Sequence, residues 1–486
     1  MNNKYVQLAI SNRYASIALR FMLSFLLIYI FLLVNNNLVF RWDAASYFWM
    51  SNIFVDDYGF SLSNFPVNLR GAIFPLMLMP FNMLAVALGM QAEMGHWIMI
   101  STLSGLFSLA FPILFEDFGR DKFIPFSLIL LLIFFFGVFL VPLADLISLY
   151  LLIFSLVFIK IAYKEIRISK RINYKPILLF FFAGVFFYVA YNSRTIYQFA
   201  IIGIAIIFFV NIIVLPKKAY ALIIALAFVV GFYLLASVQL YINMNNTDTF
   251  SIAPGGGIVY WHDLPLNIFQ LQVGLELNFY ETSLVYGETP TFRYDNNSGI
   301  QLINRYGIVR SYSDYFRLIA RYPFEMIGIY MRSLIMSLNP ISGGGMIYNR
   351  NGRFILTIAN WTILFFLMMY IKRSIIDIEN FMLSLKETSM DFKNSILALF
   401  AILLPVIFII PGAMEERFAI GLWVVVYGMF AYVINIREEI YFFKQRKFYN
   451  SFLYVAGFFV AIAILTELYA NNITDSLLPI LFLDWF

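Results

Sequence analysis

The sequence predicts an all-α integral membrane protein with about eleven transmembrane helices, each needing roughly 20 apolar residues to span the hydrocarbon. Three observations carry that expectation. First, the 486 residues are 62% hydrophobic and only 13% charged, with a mean hydropathy of +0.81, against roughly 25% charged residues in a soluble domain. Second, long apolar segments recur, among them Phe21–Val34, Ile177–Ala190, Ile196–Val214 and Leu222–Val238. Third, these segments lack the alternation of lipid-facing and lumen-facing residues that marks an outer-membrane barrel. The chain has no cysteine, which excludes disulfides and thiolate metal sites. The first apolar segment is long and has no small-residue cleavage site, so it reads as an uncleaved first span.

Short loops rich in Lys and Arg remain cytoplasmic, and they set the sidedness. The clearest is Lys160–Lys175; Lys217–Lys218, Lys372–Arg373, Arg437–Lys447 and the N-terminal Lys4, Arg13 and Arg20 agree with it. Counting Ala72–Met90 as a span would put Lys160–Lys175 outside. This segment holds Pro75, Pro80 and Asn82 and reads instead as a re-entrant or interfacial helix pair. Tyr315–Leu338 carries Arg317, Arg321, Glu325 and Arg332 and reads as an amphipathic helix at the interface. The spans then fall near 17–35, 95–115, 123–141, 146–163, 176–192, 196–215, 219–239, 354–371, 394–411, 418–436 and 451–469. They form one polytopic domain over 1–486, with the N-terminus cytoplasmic. A first outer loop (36–93) carries juxtamembrane helices, and a long outer loop (241–353) carries the interfacial one. No internal repeat is visible.

This topology places all 13 lysines and 8 arginines in the cytoplasm, and the 12 basic residues left outside are all Arg. Positive-inside sorting treats the two residues alike, so it does not explain the split. Arg forks onto phosphate and carboxylate; it also tolerates partial burial, and both readings stand. The long loop holds eight acidic residues beside its eight arginines, so it is not a uniformly positive patch.

Five motifs lie at the outer helix ends. RWDAASYF (Arg41–Phe48) sets Asp43 among aromatic residues where the chain leaves the first span. A carboxylate there is either a base whose proton affinity is raised by partial burial or the cap of a following helix. NLRGAIFPLMLMPF (Asn68–Phe81) offers Arg70 as a phosphate ligand or as an interfacial anchor. VPLADLISLY (Val141–Tyr150) isolates Asp145 as a ligand or a helix cap. NSRTIYQ (Asn192–Gln198) puts Arg194 at another junction. PGAMEERFAIGLW (Pro411–Trp423) sets Glu415, Glu416 and Arg417 tight against hydrocarbon, an arrangement that requires mutual pairing or a polar cavity. The runs Gly255–Gly257 and Gly343–Gly345 lack the Lys-Ser or Lys-Thr of a phosphate-binding loop. His96 and His262 are the only histidines and suggest neither a metal site nor a catalytic triad.

Taken in order, Asp43 in WDAASY, the Arg70–Pro80 segment, Asp145, the long outer loop and Glu416-Arg417-Phe418 resemble the GT-C superfamily of membrane glycosyltransferases, which use polyprenyl-phosphate sugar donors. Size and layout also resemble the serotype-converting O-antigen glycosyltransferases. The resemblance covers most of the chain through short motifs. The chain departs from several members in having no C-terminal soluble domain, and from the oligosaccharyltransferases in lacking an acidic pair at Asp145.

The resemblance implies an inverting glycosyltransferase at the periplasmic face of the bacterial inner membrane. It would move a sugar from a polyprenyl-phosphate donor to a glycan acceptor, such as O-antigen or another cell-surface polysaccharide. Asp43 would be the catalytic base. Arg417, Arg194 and Arg70 would hold the leaving phosphate, with Glu416 and Asp145 binding or orienting donor groups and Tyr260 and Trp261 stacking on sugar faces. Some family members use a divalent metal, for which Asp43 and Asp145 would be the ligands; no motif here indicates one. Membrane lipids are expected partners and nucleic acid is not. Two alternatives remain: a polysaccharide polymerase or ligase, which shares many spans and Arg-rich outer loops, and a lipid-linked-glycan flippase or transporter, which would show repeated halves and broken helices meeting at mid-membrane.

Overall fold

The computed structural model describes residues 3–56, 59–66, 70–118, 125–170, 173–213, 215, 217–256, 260–261, 264–282, 291–295, 297–337, 359–371, 389–412 and 416–445. Helix dominates them, and seven helices are long and apolar enough to cross a membrane. The chain is a multi-pass membrane protein, mostly helical in its described residues. The seven are Ala15–Asn35, Met94–Phe118, Ala144–Ser169, Tyr174–Ser193, Thr195–Ile212, Ala219–Thr247 and Met390–Ile409, each overlapping an expected span. Expected span 123–141 is interrupted: α5 (Phe126–Phe134) and α6 (Phe136–Leu140) are separated at Phe135, whose φ of −127° and ψ of 30° leave the helix. Helices at Ala359–Ile371 and Arg417–Tyr432 are shorter, and the span expected at 451–469 lies outside the described residues.

The contacts divide the chain into two units. Unit 1 comprises Met1–Val259, Ser384–Ile407 and Ile420–Val433. It runs from α1 (Asn3–Asn35) through α2 (Trp42–Ile53), α3 (Ile73–Ala87) and α4 (Met94–Ala110) to α5 and α6, then α7 (Ala144–Ser169), α8 (Tyr174–Ser193), α9 (Ala200–Ile212) and α10 (Ala219–Thr247). The α7 helix is the core, buried along nearly its whole length, whereas little of Ala15–Asn35 in α1 is buried. Small residues bring the helices together. The Ser155 hydroxyl on α7 donates to Ala183 O at 2.8 Å. At the α8–α10 crossing, Gly184 lies against Phe228 O and Gly231 against Phe181 O, leaving no room for a Cβ at either. Membrane helices pack through such small residues because lipid supplies no hydrophobic drive for association.

The segment expected to be a proline-broken helix pair is one helix, α3. Pro75 sits in its first turn, where a missing N–H breaks nothing, and Pro80 is carried inside. Its 15 residues rise about 22 Å at 1.5 Å each, short of a hydrocarbon core of about 30 Å. Helix α2 buries Ala44, Tyr47, Met50 and Phe54 on one face, at helical spacing. It rests on α3 through Tyr47 against Phe74 at 4.8 Å and through the Asn82 amide, which donates to Ser51 Oγ at 2.8 Å.

Unit 2 comprises Tyr260–Leu383, Phe408–Ala419 and Ile434–Phe486. It holds α11 (Leu266–Glu276), α12 (Asn297–Tyr306), α13 (Tyr312–Arg321) and α14 (Pro323–Ser337). Ile268, Leu275, Leu302, Val309, Tyr315, Leu318, Met326 and Ile329 form its core. The single amphipathic helix expected over Tyr315–Leu338 is therefore two. The chain leaves the helix at Tyr322 (φ −132°, ψ 56°), and Pro323, whose fixed φ suits a first helical position, starts the next. An antiparallel hairpin, Leu277–Thr282 with Thr291–Asp295, also forms here, in a loop for which the sequence predicts no strand.

Candidate functional site

The candidate site lies within unit 1 and is built from short elements beside the long helices. Asp43 is the second residue of α2. The N-cap is Arg41, with no side-chain cap bond, so the capping role open to Asp43 is not the one it has. Its carboxylate instead forms an ion pair with the Arg70 guanidinium. That guanidinium also stands over the Tyr47 ring, 5.4 Å from its centre, an attractive placement for a cation.

The three residues after Arg70 hold it in place. Gly71 presses against Asn192, and any Cβ at 71 would overlap the Asn192 backbone and side-chain oxygens. The N–H groups of Ala72 and Ile73 open α3 and have no partner inside the helix. Gln239 Oε1 accepts from Ala72 N at 2.9 Å and Asn192 Oδ1 from Ile73 N at 3.0 Å. Asn192 Nδ2 in turn donates to Gln239 Oε1 (3.0 Å), and Gln239 Nε2 to Asn243 Oδ1 (3.0 Å). Asn243 Nδ2 reaches Ser251 O and Ala253 O, both at 2.8 Å. All three amides are buried. An amide ladder across α8 and α10 thus stands where a capping side chain would.

Asp145 is likewise not a cap. Leu143 occupies that position, and Asp145 lies in the first turn of α7, where the helix dipole favours a negative charge. Its Oδ1 is 2.8 Å from Arg194 Nε, with the carboxylate side chain 5% exposed. Arg194 ends α8 in extended geometry (φ −147°, ψ 106°), which turns the chain into the 3-10 turn Thr195–Phe199. From that turn the Tyr197 hydroxyl donates to Asp145 O at 3.3 Å.

Tyr47 joins the two pairs. Its hydroxyl lies 3.5 Å from Ser193 O. Burial pushes its phenol up to about 12; Arg194 and Arg70 oppose the rise, and Asp43 and Asp145 add to it. All four predicted charged residues of unit 1 therefore act on one buried hydroxyl. No protein-family model, curated protein or solved structure matches this chain. The residues themselves carry the functional argument.

Two guanidinium groups and two carboxylates around a protonated phenol, at one end of an apolar helix bundle, suit a ligand that is anionic at one point and rich in hydroxyls nearby. Ser193, beside Arg194, adds a buried hydroxyl with no hydrogen-bond partner among the described residues, and such groups call for an explanation. The donor set suits a divalent cation poorly, because a cation would compete with a guanidinium at each carboxylate. No group of three His, Asp or Glu side chains converges among the described residues.

Glu416 and Arg417 belong to unit 2 and open a 3-10 turn, Glu416–Ala419. Arg417 is 7% exposed, with its guanidinium 5.5 Å from the Phe418 ring centre. Glu415, His262 and Gly343–Gly345 fall outside the described residues, as do the side chains of Glu416, Tyr260 and Trp261. Sequence reasoning missed Gln239, Asn243 and the part played by Tyr47. Amides deep in the 29-residue apolar α10 were the available signal for the first two, since polar groups in such segments must find partners.

Proposed function

We propose that this chain is an inverting glycosyltransferase of the GT-C type. It moves a sugar from a polyprenyl-phosphate donor to a glycan acceptor at the periplasmic face of a bacterial inner membrane. The observation that carries the reading is the pairing of Asp43 with Arg70 and Asp145 with Arg194 around Tyr47. The order of elements supports it too. A first span leads into a short helix that begins with an acidic residue, then into a second short helix, and then into the main bundle.

In this reaction an acceptor hydroxyl attacks the anomeric carbon of the donor. Asp43 accepts the hydroxyl proton, the new C–O bond forms as the bond to the lipid phosphate breaks, and the anomeric configuration inverts. Negative charge grows on the departing phosphate, where fixed positive partners in a water-poor site act most strongly. Arg194 and Arg70 supply that charge. The Tyr47 hydroxyl stays protonated at neutral pH and, directed at Ser193 O, ties α2 to the end of α8 beside Arg194. Asp145 holds Arg194 in place.

The test is Asp43→Asn in purified protein reconstituted into lipid with a short-chain polyprenyl-phosphate sugar. General-base removal lowers transfer by about 10²–10⁴-fold. Transfer at the wild-type rate would remove Asp43 from the mechanism.

A further inference from the structure

The helices α13 and α14 are apolar on two sides. One side supplies Tyr315, Leu318, Met326 and Ile329 to the unit 2 core. The other is uncovered. On α13, Tyr312 and Phe316, four residues apart, are 50% and 66% exposed, and Ala320 continues the stripe. On α14, Phe324, Ile327 and Met331 succeed one another at helical spacing and are 85%, 56% and 50% exposed. Contiguous apolar surface of this kind marks an interaction site in a folded protein.

We infer that these two stripes insert into the headgroup and upper acyl region of the phospholipid bilayer that the rest of the chain crosses. Charge beside the stripes identifies the occupant. Arg317 and Arg321 lie one residue past Phe316 and Ala320, and both are exposed, as is Arg310. Arg317 pairs with Asp314 at 2.8 Å, and Glu325 is the remaining acid, so the border carries a small positive excess. An apolar face edged by guanidinium groups matches acyl chains below a layer of phosphates. Long basic side chains keep their heads at that level while their stems lie along the apolar surface. A bilayer is available to this chain, since seven of its helices are long and apolar enough to cross one. The inference rests on this membrane character and not on the glycosyltransferase reading.

The absence of cysteine permits a direct test in the full chain. Phe316→Cys, Phe324→Cys, Ile327→Cys and Met331→Cys, made singly, each carry an environment-sensitive fluorophore, with Asn304→Cys and Ser313→Cys as polar controls. The labelled proteins are reconstituted into phosphatidylethanolamine–phosphatidylglycerol vesicles. Lipids bearing a nitroxide high on the acyl chain should quench the four stripe positions at least twice as strongly as the controls, and aqueous iodide should quench the controls preferentially. Iodide quenching at the stripe equal to that of the controls would overturn the inference by placing it in water. Protection from both quenchers would overturn it by showing protein cover, from a second copy or from the chain itself. Because the readout needs no sugar transfer, an inactive Asp43→Asn protein should give the same pattern.

Discussion

Arg194 Nε lies 2.8 Å from Asp145 Oδ1, tying the extended exit of α8 to the first turn of α7. If the guanidinium serves the departing phosphate, Arg194→Gln lowers sugar transfer by roughly 10²–10³-fold, the range for losing one fixed donor to transition-state charge. Asp145→Asn lowers it less, because it acts through Arg194. The double variant loses little more than Arg194→Gln alone, since residues in contact do not contribute independently. Multiplying losses in the rate assay would separate the two roles and refute the arrangement.

Tyr47 gives a pH signature. The unfolded phenol loses its proton near its ordinary value of 10, and the folded one near 12. Between these values the unfolded state holds fewer protons, so stability that is full below pH 10 falls as pH rises towards 12. A rise of that size corresponds to roughly 2–3 kcal/mol. Tyr47→Phe should flatten thermal stability by about that amount over pH 10–12, measured in detergent against the wild-type curve. Identical slopes in the two proteins would contradict the buried phenol.

Gln239→Leu tests the amide ladder. The change removes the acceptor for Ala72 N and Asn192 Nδ2, and each buried group left unsatisfied costs about 1–3 kcal/mol. We expect a lower thermal midpoint together with weaker transfer, because Arg70 loses its fixed position. Gln239→Glu, which keeps the acceptor oxygen, should recover more of the midpoint than Leu. Equal midpoints for the Leu variant and wild type would show that the ladder does not hold α3.

A second polar cluster lies about 22 Å along α7 from Asp145, since Lys160 is 15 residues further on at 1.5 Å each. Lys160 is 1% exposed. Its Nζ lies 2.7 Å from Asp117 Oδ2, 2.8 Å from Ser395 Oγ and 2.5 Å from Ile113 O. Nearby, Arg167 pairs with Asp391, and Asn211 Nδ2 donates to Asn394 Oδ1 at 2.6 Å. The late helix Met390–Ile409 is thereby fastened to the early bundle. Lys160→Met takes the cationic partner from the part-buried Asp117, which keeps the Ser395 hydroxyl at 2.9 Å, and should cost less than the roughly 3–5 kcal/mol of breaking a fully buried pair. Adding Asp117→Leu should return much of that loss in a detergent melt; a double variant as unstable as the single would refute the pairing.

Much of the architecture was legible because a bilayer constrains sequence severely. Backbone polar groups have no water to turn to, so each crossing must be a long apolar helix, and seven expected spans are such helices. Local breaks were less legible. Nothing in the pattern around Phe135 announces the interruption between α5 and α6, and no proline marks it. Pro80 signals a break that does not occur, because packing on α2 and α4 keeps α3 continuous. At Tyr322-Pro323 the proline does mark a boundary, yet the amphipathic pattern runs across it.

By itself the sequence determined that the chain belongs in a membrane, and it named Asp43, Arg70, Asp145 and Arg194 as candidates at outer helix ends while leaving capping or anchoring roles open for the first three. Composition and burial cost act one residue at a time, so they can be read one residue at a time. Only the tertiary structure decided the partners: Asp43 with Arg70, Asp145 with Arg194, and Tyr47 between them. It also brought in Gln239 and Asn192 as the ends of a ladder spanning two helices. Those choices depend on how helices far apart in sequence approach one another, through contacts such as Gly184 on Phe228 and Gly71 on Asn192. Ion pairs and hydrogen bonds act over a few ångströms, and a linear pattern does not encode which ends of which helices come that close.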